Sequence, residues 1–174
     1  MADRPDLLEL CRSAVAAART GEALEAYAEE SRRTEVEVRG AEVEGLTFAA
    51  SRGVGVRLIV DGRLGYAWAA DPSRAEVLAA VARARENAAL AAPDEHNVLP
   101  GPSPVAPMPE LFRAGQAAMP TDRKVALALD LERATLAADR RVRRVERAEV
   151  GDAVSRVAIA STAGIEAAYE RTDC

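Results

Sequence analysis

The sequence is poor in lysine, histidine, cysteine and aromatic side chains. Lys124 is its single lysine, His96 its single histidine, and aromatic residues make up 3% of the 174 residues. A core therefore has to be built from Ala, Val and Leu, which the 49% hydrophobic content permits. Two cysteines, Cys11 and Cys174, do not make a disulfide framework. We expect Cys11 to be a small core residue on the first helix.

The sequence also lacks positive net charge and long apolar runs. Its formal net charge is −5, which disfavours nucleic acid and membrane surfaces as partners because both attract basic proteins. The first 20 residues do not have the basic-then-apolar order of a signal peptide. The sequence contains no run of about 18 apolar residues, so no transmembrane helix is expected. We expect a cytoplasmic protein, and the preference for arginine and alanine indicates a GC-rich bacterial genome.

Helical periodicity marks three segments of the sequence. In each of them apolar side chains recur every three to four residues, which predicts a helix with one face on a core. The second helix is expected to take Asp71 as its cap and Pro72 in its first turn. The three predicted helices cover 4–19, a segment that starts at Asp71, and 121–139.

Alternation of apolar and polar residues marks the strands. Every second residue of 53–60 is apolar, which predicts a strand with one face on a core. A tight turn at Asp61 and Gly62 then joins it to a strand over 64–69. Short connections imply antiparallel pairing, and separate runs of strands and helices favour an α+β fold with a mostly antiparallel sheet. Further strands are expected over 24–29, 34–39, 41–50, 142–150, 153–161 and 164–171, with a break at 31–33.

A proline-rich segment separates the two halves of the chain. Residues 92–120 hold seven of the nine prolines, and proline is excluded from helix interiors and central strands. We expect an extended crossing segment or a linker there. The predicted organisation is a helix, antiparallel strands and a helix over 1–91, the proline-rich segment, and a helix with strands over 121–174. Because a strand pattern still runs at the last residues, we expect the third part to continue into a downstream domain.

The residue types of a hydrolytic site are scarce. A zinc peptidase needs two histidines close together, a third ligand and a carboxylate that activates water. The sequence has His96 alone, which we interpret as a solvated loop residue or a contact for a partner or peptide. No serine has an identifiable histidine and acid partner. We therefore predict neither a catalytic residue nor a metal ligand set in this chain.

Glycines surround the predicted hairpin. The pair Gly53 and Gly55 resembles a phosphate-binding loop, but that loop needs a helix directly after it, whereas here a strand follows. Glycines within strands instead permit close approach of another backbone or a bulge. We expect architectural roles, not catalytic ones, for these two and for Arg57, Gly62 and Gly65.

Aromatic and basic clusters supply the remaining candidates. Tyr66 and Trp68 share a strand face with Leu64. Core packing is the simpler interpretation, and an aromatic ledge that contacts a peptide or a partner subunit is the alternative. Five arginines between 140 and 147 could contact nucleic acid, but no aromatics are interleaved for base stacking. A strand face paired with Glu146 and Glu149 is the simpler interpretation.

The residues around the predicted hairpin resemble the TldD/PmbA family. The stretch RGVGVRLIVDGRLGYA at 52–67 is similar to that family's N-terminal region, where a G-hydrophobic-G-hydrophobic-R strand precedes a turn and a glycine-aromatic strand. The motifs AYAE at 26–29 and STAG at 161–164, before YERT at 169–172, fit the same resemblance. It spans most of residues 5–174. It implies a TldD/PmbA N-terminal-domain-like fold in a protein related to zinc metallopeptidases and modulators of DNA gyrase.

The resemblance leaves three functional hypotheses open. The first is a non-catalytic N-terminal domain of a zinc-dependent peptidase, which helps to build the cleft for extended peptide substrates. Zinc would then lie in a downstream domain with the motif H-E-x-x-x-H, and none would bind to this chain. The second is the same domain of a zinc-free PmbA-like partner subunit, with a homo- or hetero-oligomer in either case. The third is a stand-alone protein-binding or gyrase-modulating domain.

Overall fold

The computed structural model describes residues 6–102 and 108–174. The strands form one five-stranded antiparallel sheet, which confirms the predicted α+β fold. No helix within the described ranges is long and apolar enough to cross a membrane. In chain order the elements are α1 Leu7–Val15, β1 Ala23–Arg39, β2 Glu42–Val60, β3 Arg63–Ala69, α2 Arg74–Leu90, α3 Ala114–Ala117, α4 Thr121–Ala138, β4 Ala148–Ser161 and β5 Glu166–Asp173. The order of the strands in the sheet is β3-β2-β1-β4-β5.

The strands are longer and fewer than the alternation predicts. β1 continues through the break expected at 31–33, and β2 joins the strands expected over 41–50 and 53–60. A strand is held by backbone hydrogen bonds to its neighbours, so a few polar side chains in succession do not end it. β4 begins at Ala148, six residues after the expected start at 142.

The first helix begins with a side-chain cap. The Asp6 carboxylate accepts hydrogen bonds from the backbone N–H groups of Leu8 at 3.0 Å and Glu9 at 3.3 Å. These bonds satisfy donors that have no partner within the helix, which fixes where α1 begins. The expected start at residue 4, with Pro5 in the first turn, lies outside the described residues.

The second helix begins two residues later than expected. Its cap is Ser73, whose hydroxyl accepts a hydrogen bond from the Glu76 N–H at 3.3 Å. Serine followed by glutamate three residues on is a capping-box sequence, which favours Ser73 over Asp71. Pro72 therefore lies before the helix, where it is buried, and not in its first turn.

The described residues divide into two compact units. The first unit consists of the described residues within Met1–Glu30, Ser51–Pro107 and Arg156–Tyr169. Its core lies between one face of the sheet and the helices α1 and α2, and alanine, valine and leucine supply most of its buried side chains. We call the opposite face of the sheet in this unit its outer face.

Helix α2 packs against β3 at very short distance. A Cβ atom on Gly65 would lie 1.9 Å from the Ala84 carbonyl oxygen and 2.4 Å from the Ala88 nitrogen. Ala67 and Ala69 follow on the same buried face of β3. The approach of helix to sheet thus depends on a strand face made only of glycine and alanine.

The second unit consists of Ser31–Ala50, Met108–Ser155 and Glu170–Cys174. Its apolar core is small, with four fully buried members and a few half-buried neighbours. Charged side chains from α4 are buried beside it, namely Lys124 and Glu132. The four apolar core residues are Val36, Val38, Ala128 and Ala148.

The two charged residues of α4 have specific partners within the second unit. The Lys124 ammonium lies 2.6 Å from Asp152 Oδ1, an ionic contact without hydrogen-bond alignment, and donates to the Thr34 hydroxyl at 3.2 Å. The Glu132 carboxylate accepts the backbone N–H groups of Gly40 at 2.6 Å and Ala41 at 2.7 Å. Both turn residues have positive φ, which is unfavourable for the alanine, so Glu132 stabilises a strained β1–β2 turn.

The described parts of the proline-rich segment are tied to their own units. In the first unit the Asp94 N–H donates to the Gly62 carbonyl at 2.9 Å. In the second unit the Thr172 N–H donates to the Leu111 carbonyl at 3.0 Å, and helix α3 follows, which the sequence did not predict. Pro104 and Pro107 lie outside the described residues.

Candidate functional site

The outer face of β3 carries its large side chains. Leu64, Tyr66 and Trp68 are 38%, 57% and 63% exposed. The core-packing interpretation of Tyr66 and Trp68 is therefore wrong, and its physical cause is the close approach of α2. Because helix and strand backbones nearly touch at Gly65, no ring fits on the inner face. The aromatic ledge is the alternative that remains.

These rings line a groove on the outer face of the first unit. The groove encloses about 490 Å³, and Tyr27 joins Tyr66 and Trp68 in its walls. Gly53 and Gly55 of β2 also line it. We call it the aromatic groove. Half of the six aromatic residues in the sequence lie in this one place, in a protein with very few of them.

The register of β2 and β3 explains the shape of the groove. Trp68 pairs with Gly55, and Tyr66 pairs with Arg57. The Tyr66 ring leans over the neighbouring glycine, since a Cβ on Gly55 would lie 2.7 Å from the Tyr66 hydroxyl oxygen. A Cβ on Gly53 would lie 3.0 Å from the Ala69 carbonyl oxygen. The missing side chain at Gly55 therefore makes room for the Tyr66 ring, and the one at Gly53 for the neighbouring strand backbone.

The polar groups in and beside the groove balance in charge. The Tyr27 hydroxyl donates to the Glu29 carboxylate at 3.1 Å. Arg52 is exposed at the groove and opposes the charge of Glu29. Next to the groove, Arg57 Nε lies 3.1 Å from Glu25 Oε1, an ionic contact without hydrogen-bond alignment. The groove is consequently aromatic, partly polar and without net charge.

The hairpin that supports the groove forms as predicted. Val60 and Arg63 are paired, and the two residues between them, Asp61 and Gly62, have φ of 50° and 71°. Positive φ at both positions is the geometry of a tight hairpin turn that follows the twist of the strands. A Cβ on Gly62 would also lie 3.0 Å from the Asp94 carbonyl oxygen, so a loop packs directly on this turn.

His96 lies in that loop and not in the aromatic groove. Its side chain is exposed, and its backbone N–H donates to the Asp94 carboxylate at 2.9 Å. The Asn97 amide anchors the loop by donating to the Gly62 carbonyl at 2.8 Å. Among the candidate contact residues, the structure thus brings Tyr66 and Trp68 together and leaves His96 apart.

The residues present do not fit a zinc ion. Within 6–102 and 108–174, no three side chains of His, Cys, Asp or Glu converge as a metal-binding group. Burial raises the pKa of the Cys11 thiol to about 11, which keeps it protonated at neutral pH, whereas a metal ligand must be a thiolate. The other cysteine, Cys174, is exposed.

Three of the five arginines in the cluster, Arg141, Arg144 and Arg147, are paired with acids within the second unit. Arg144 contacts Glu146 at 2.7 Å, and Arg147 contacts Glu149 at 3.3 Å and Glu37 at 3.0 Å. The predicted pairing is thus present, although residues 142–147 precede β4 and do not form its first part. Arginines engaged with carboxylates offer less free charge to a phosphate backbone.

The sequence did not predict a contact role for three groove residues: Tyr27, Glu29 and Arg52. A signal for Tyr27 existed, because it alternates with Leu24, Ala26 and Ala28, which are buried, and so belongs to the outer face. No local pattern places this face of β1 beside the Tyr66 face of β3. That neighbourhood depends on β2 lying between them.

Two family models match the sequence, and both describe the same family. The family described as PmbA/TldA metallopeptidase domain 1 matches residues 24–88, and the central domain of the same family matches 115–174. No curated protein matches the sequence.

Three solved structures resemble the fold. A proposed modulator of a DNA gyrase from Thermotoga maritima is 18% identical, with a TM-score of 0.79 over 94% of this chain and 37% of its own. TldE from Thermococcus kodakarensis is 22% identical, with a TM-score of 0.76 over 86% of this chain and 34% of its own. A proposed modulator of DNA gyrase from Bacteroides thetaiotaomicron is 23% identical, with a TM-score of 0.77 over 95% of this chain and 38% of its own.

At these identities the likeness is one of fold, and this chain spans little more than a third of the length of each structure. The two family matches follow each other along the sequence in the order of domain 1 and central domain. The chain therefore belongs to the PmbA/TldD metallopeptidase family and comprises sequence of its domain 1 and its central domain.

Proposed function

We propose that this chain is the N-terminal, non-catalytic part of a zinc-dependent peptidase and that its aromatic groove forms part of the cleft for extended peptide substrates. The observation that carries the proposal is the exposure of Tyr66 and Trp68 on one sheet face of a peptidase-family chain. Large exposed rings around a groove typically mark a binding surface, since they lose water-exposed apolar area when covered.

In the proposed peptidase, substrate binding and hydrolysis belong to different parts of the protein. The described residues of this chain have no metal-binding group, so hydrolysis requires a downstream domain that holds zinc. The proposed partners are that domain, a second TldD/PmbA-like subunit in a homo- or hetero-oligomer, and the peptide itself. In this arrangement the groove binds the distal part of long substrates, and short substrates that do not reach it are unaffected.

The first test is to read the encoding gene beyond codon 174 and to measure the mass of the native protein. A continuation with the motif H-E-x-x-x-H supports the catalytic branch of the family. A continuation without it supports the zinc-free partner subunit, with the groove completing the substrate cavity of the assembly. A stop codon at that position contradicts both and leaves a stand-alone binding domain.

The second test addresses the groove in the complete protein with its partner subunit. We expect Trp68→Ala to raise KM for long peptides about tenfold at unchanged kcat, because it removes binding that the ground and transition states share. Phe48→Ala is the matched control, since Phe48 is also an exposed aromatic, at 68%, but lies in the second unit. Equal kinetics of the two variants on long peptides would contradict a role of the groove in substrate binding.

A further inference from the structure

We propose that the aromatic groove binds a neutral, proline-rich peptide segment in the polyproline II conformation. The inference rests on the proposed function, because it names the peptide class for the same groove. Its main support is that the groove lies on a sheet face, has aromatic walls and has no net charge.

The position on a sheet face argues against a peptide bound as an added strand. β2 lies between β1 and β3, and its residues Val54–Val60 are paired with Arg63–Ala69 of β3. The backbone groups beneath the groove are therefore engaged, and a peptide above them cannot extend the sheet. A polyproline II segment has no such requirement, because its backbone carbonyls stay hydrated and proline has no N–H to satisfy.

The side chains around the groove suit this conformation. Tyr66 and Trp68 lie on one face of β3, and Tyr27 of β1 joins them in the walls of the groove. The Tyr66 ring lies over Gly55, which has no side chain to displace it. Pyrrolidine rings can pack between such aromatic walls without a hydrogen bond to the sheet.

The polar groups favour an uncharged ligand with free carbonyl groups. Glu29 and Arg52 have opposite charge, so neither a basic nor an acidic peptide gains from the groove as a whole. The Tyr66 hydroxyl makes no hydrogen bond within the described part of the chain, which leaves it able to donate to a peptide carbonyl. Aromatic grooves that recognise proline-rich segments combine stacking with such hydrogen bonds.

Trp68 makes the test direct, because it is the single tryptophan of the sequence and lies in the groove. The 174-residue chain is titrated with a capped oligoproline of about eight residues, long enough to form polyproline II, while Trp68 emission is followed. The matched probe is a capped Gly-Ala peptide of the same length. We expect a saturable change with oligoproline and binding at least about tenfold weaker for the flexible peptide, which loses more conformational freedom on binding.

Two variants show where the peptide binds. Tyr66→Leu keeps an apolar side chain but removes the ring and the hydroxyl, and we expect it to weaken oligoproline binding about tenfold. Phe48→Leu, in the second unit, should leave the titration unchanged. An equal loss in both variants would indicate a general effect and overturn the assignment to the groove.

The outcomes separate the inference from the proposed function. If the Gly-Ala peptide binds as well as oligoproline and Tyr66→Leu abolishes both, the groove binds extended peptides and the polyproline II inference is wrong. A capped oligolysine of the same length is the charged probe: if it binds and oligoproline does not, the charge argument is wrong and with it the neutral ligand class. If no peptide changes Trp68 emission or binds by calorimetry, both the inference and the peptide role of the groove are refuted.

Discussion

Replacing Gly65 with alanine should destabilise the first unit strongly, although the change adds a single methyl group. The added Cβ would lie 1.9 Å from the Ala84 carbonyl oxygen and 2.4 Å from the Ala88 nitrogen. Both are backbone atoms of α2, so no side-chain rotation relieves the clash. Either α2 moves away from β3 or the strand bends.

The size of the effect follows from the distance that has to be recovered. Contact without repulsion needs about 3.5 Å between carbon and oxygen, so helix and strand must separate by about 1.5 Å at this point. A gap of about 1 Å already forfeits up to half of the dispersion attraction of the atoms that face it. Val77 and Val81 of α2 pack into the same core and would lose contacts together with the sheet. We expect a loss of about 3 kcal/mol in the free energy of unfolding, at the upper end for overpacking.

Urea unfolding measured by circular dichroism checks this value. The matched control is Gly101→Ala in the same unit, because a Cβ there would meet nothing within 4 Å. The control should stay within about 0.5 kcal/mol of the parent protein. If Gly65→Ala unfolds at the same urea concentration as the control, α2 does not lie on β3 at this distance and the explanation for the outward aromatic face fails with it.

Two further predictions concern charged groups. Glu132→Gln should lower the free energy of unfolding by about 2–3 kcal/mol, measured in thermal or urea melts. The reason is that the new amide group would place a donor against one of the two backbone N–H groups that Glu132 binds in the β1–β2 turn. A change below about 0.5 kcal/mol would contradict a stabilising role. Glu22 accepts two hydrogen bonds from Arg85, and this contact lowers the pKa of Glu22 below its usual 4.5. A depressed pKa adds stability that is complete above the unfolded-state value and is lost as the pH falls through the folded-state value. Urea melts between about pH 5 and pH 3 should therefore show a steeper loss in the parent than in Glu22→Gln, and parallel curves would refute the linkage.

The hairpin could be predicted because its determinants are local. A two-residue turn of Asp61 and Gly62 requires positive φ at both positions, and alternation in the flanking residues fixes the pairing. Helix α4 was likewise predicted within a residue or two, from Thr121 to Ala138, since its start follows directly after Pro120. Such features depend on neighbours along the chain, which the sequence displays.

The orientation of β3 could not be predicted from alternation alone. One of its faces has Leu64, Tyr66 and Trp68, and hydrophobicity favours burial of these larger side chains. The other face has glycine and alanine, and it is the one that is buried. The distance between α2 and the sheet decides which face of β3 is buried. That distance depends on how two elements pack in the fold, which local alternation does not show. The same limit applies to the groove, whose walls come from β1 and β3 with β2 between them.

The burial of Lys124 has a consequence for the chemistry of the protein in solution. Its ammonium is the only lysine ε-amine of the sequence, and its side chain is 8% exposed beside Asp152. Acylating reagents and lysine-directed cross-linkers therefore find no open ε-amine on the folded chain. If local opening costs about 4 kcal/mol, roughly one molecule in a thousand presents the amine at any moment. The rate at which this one site is modified would then report on the opening of α4. Immobilisation through lysine would select chains in which the second unit is already open.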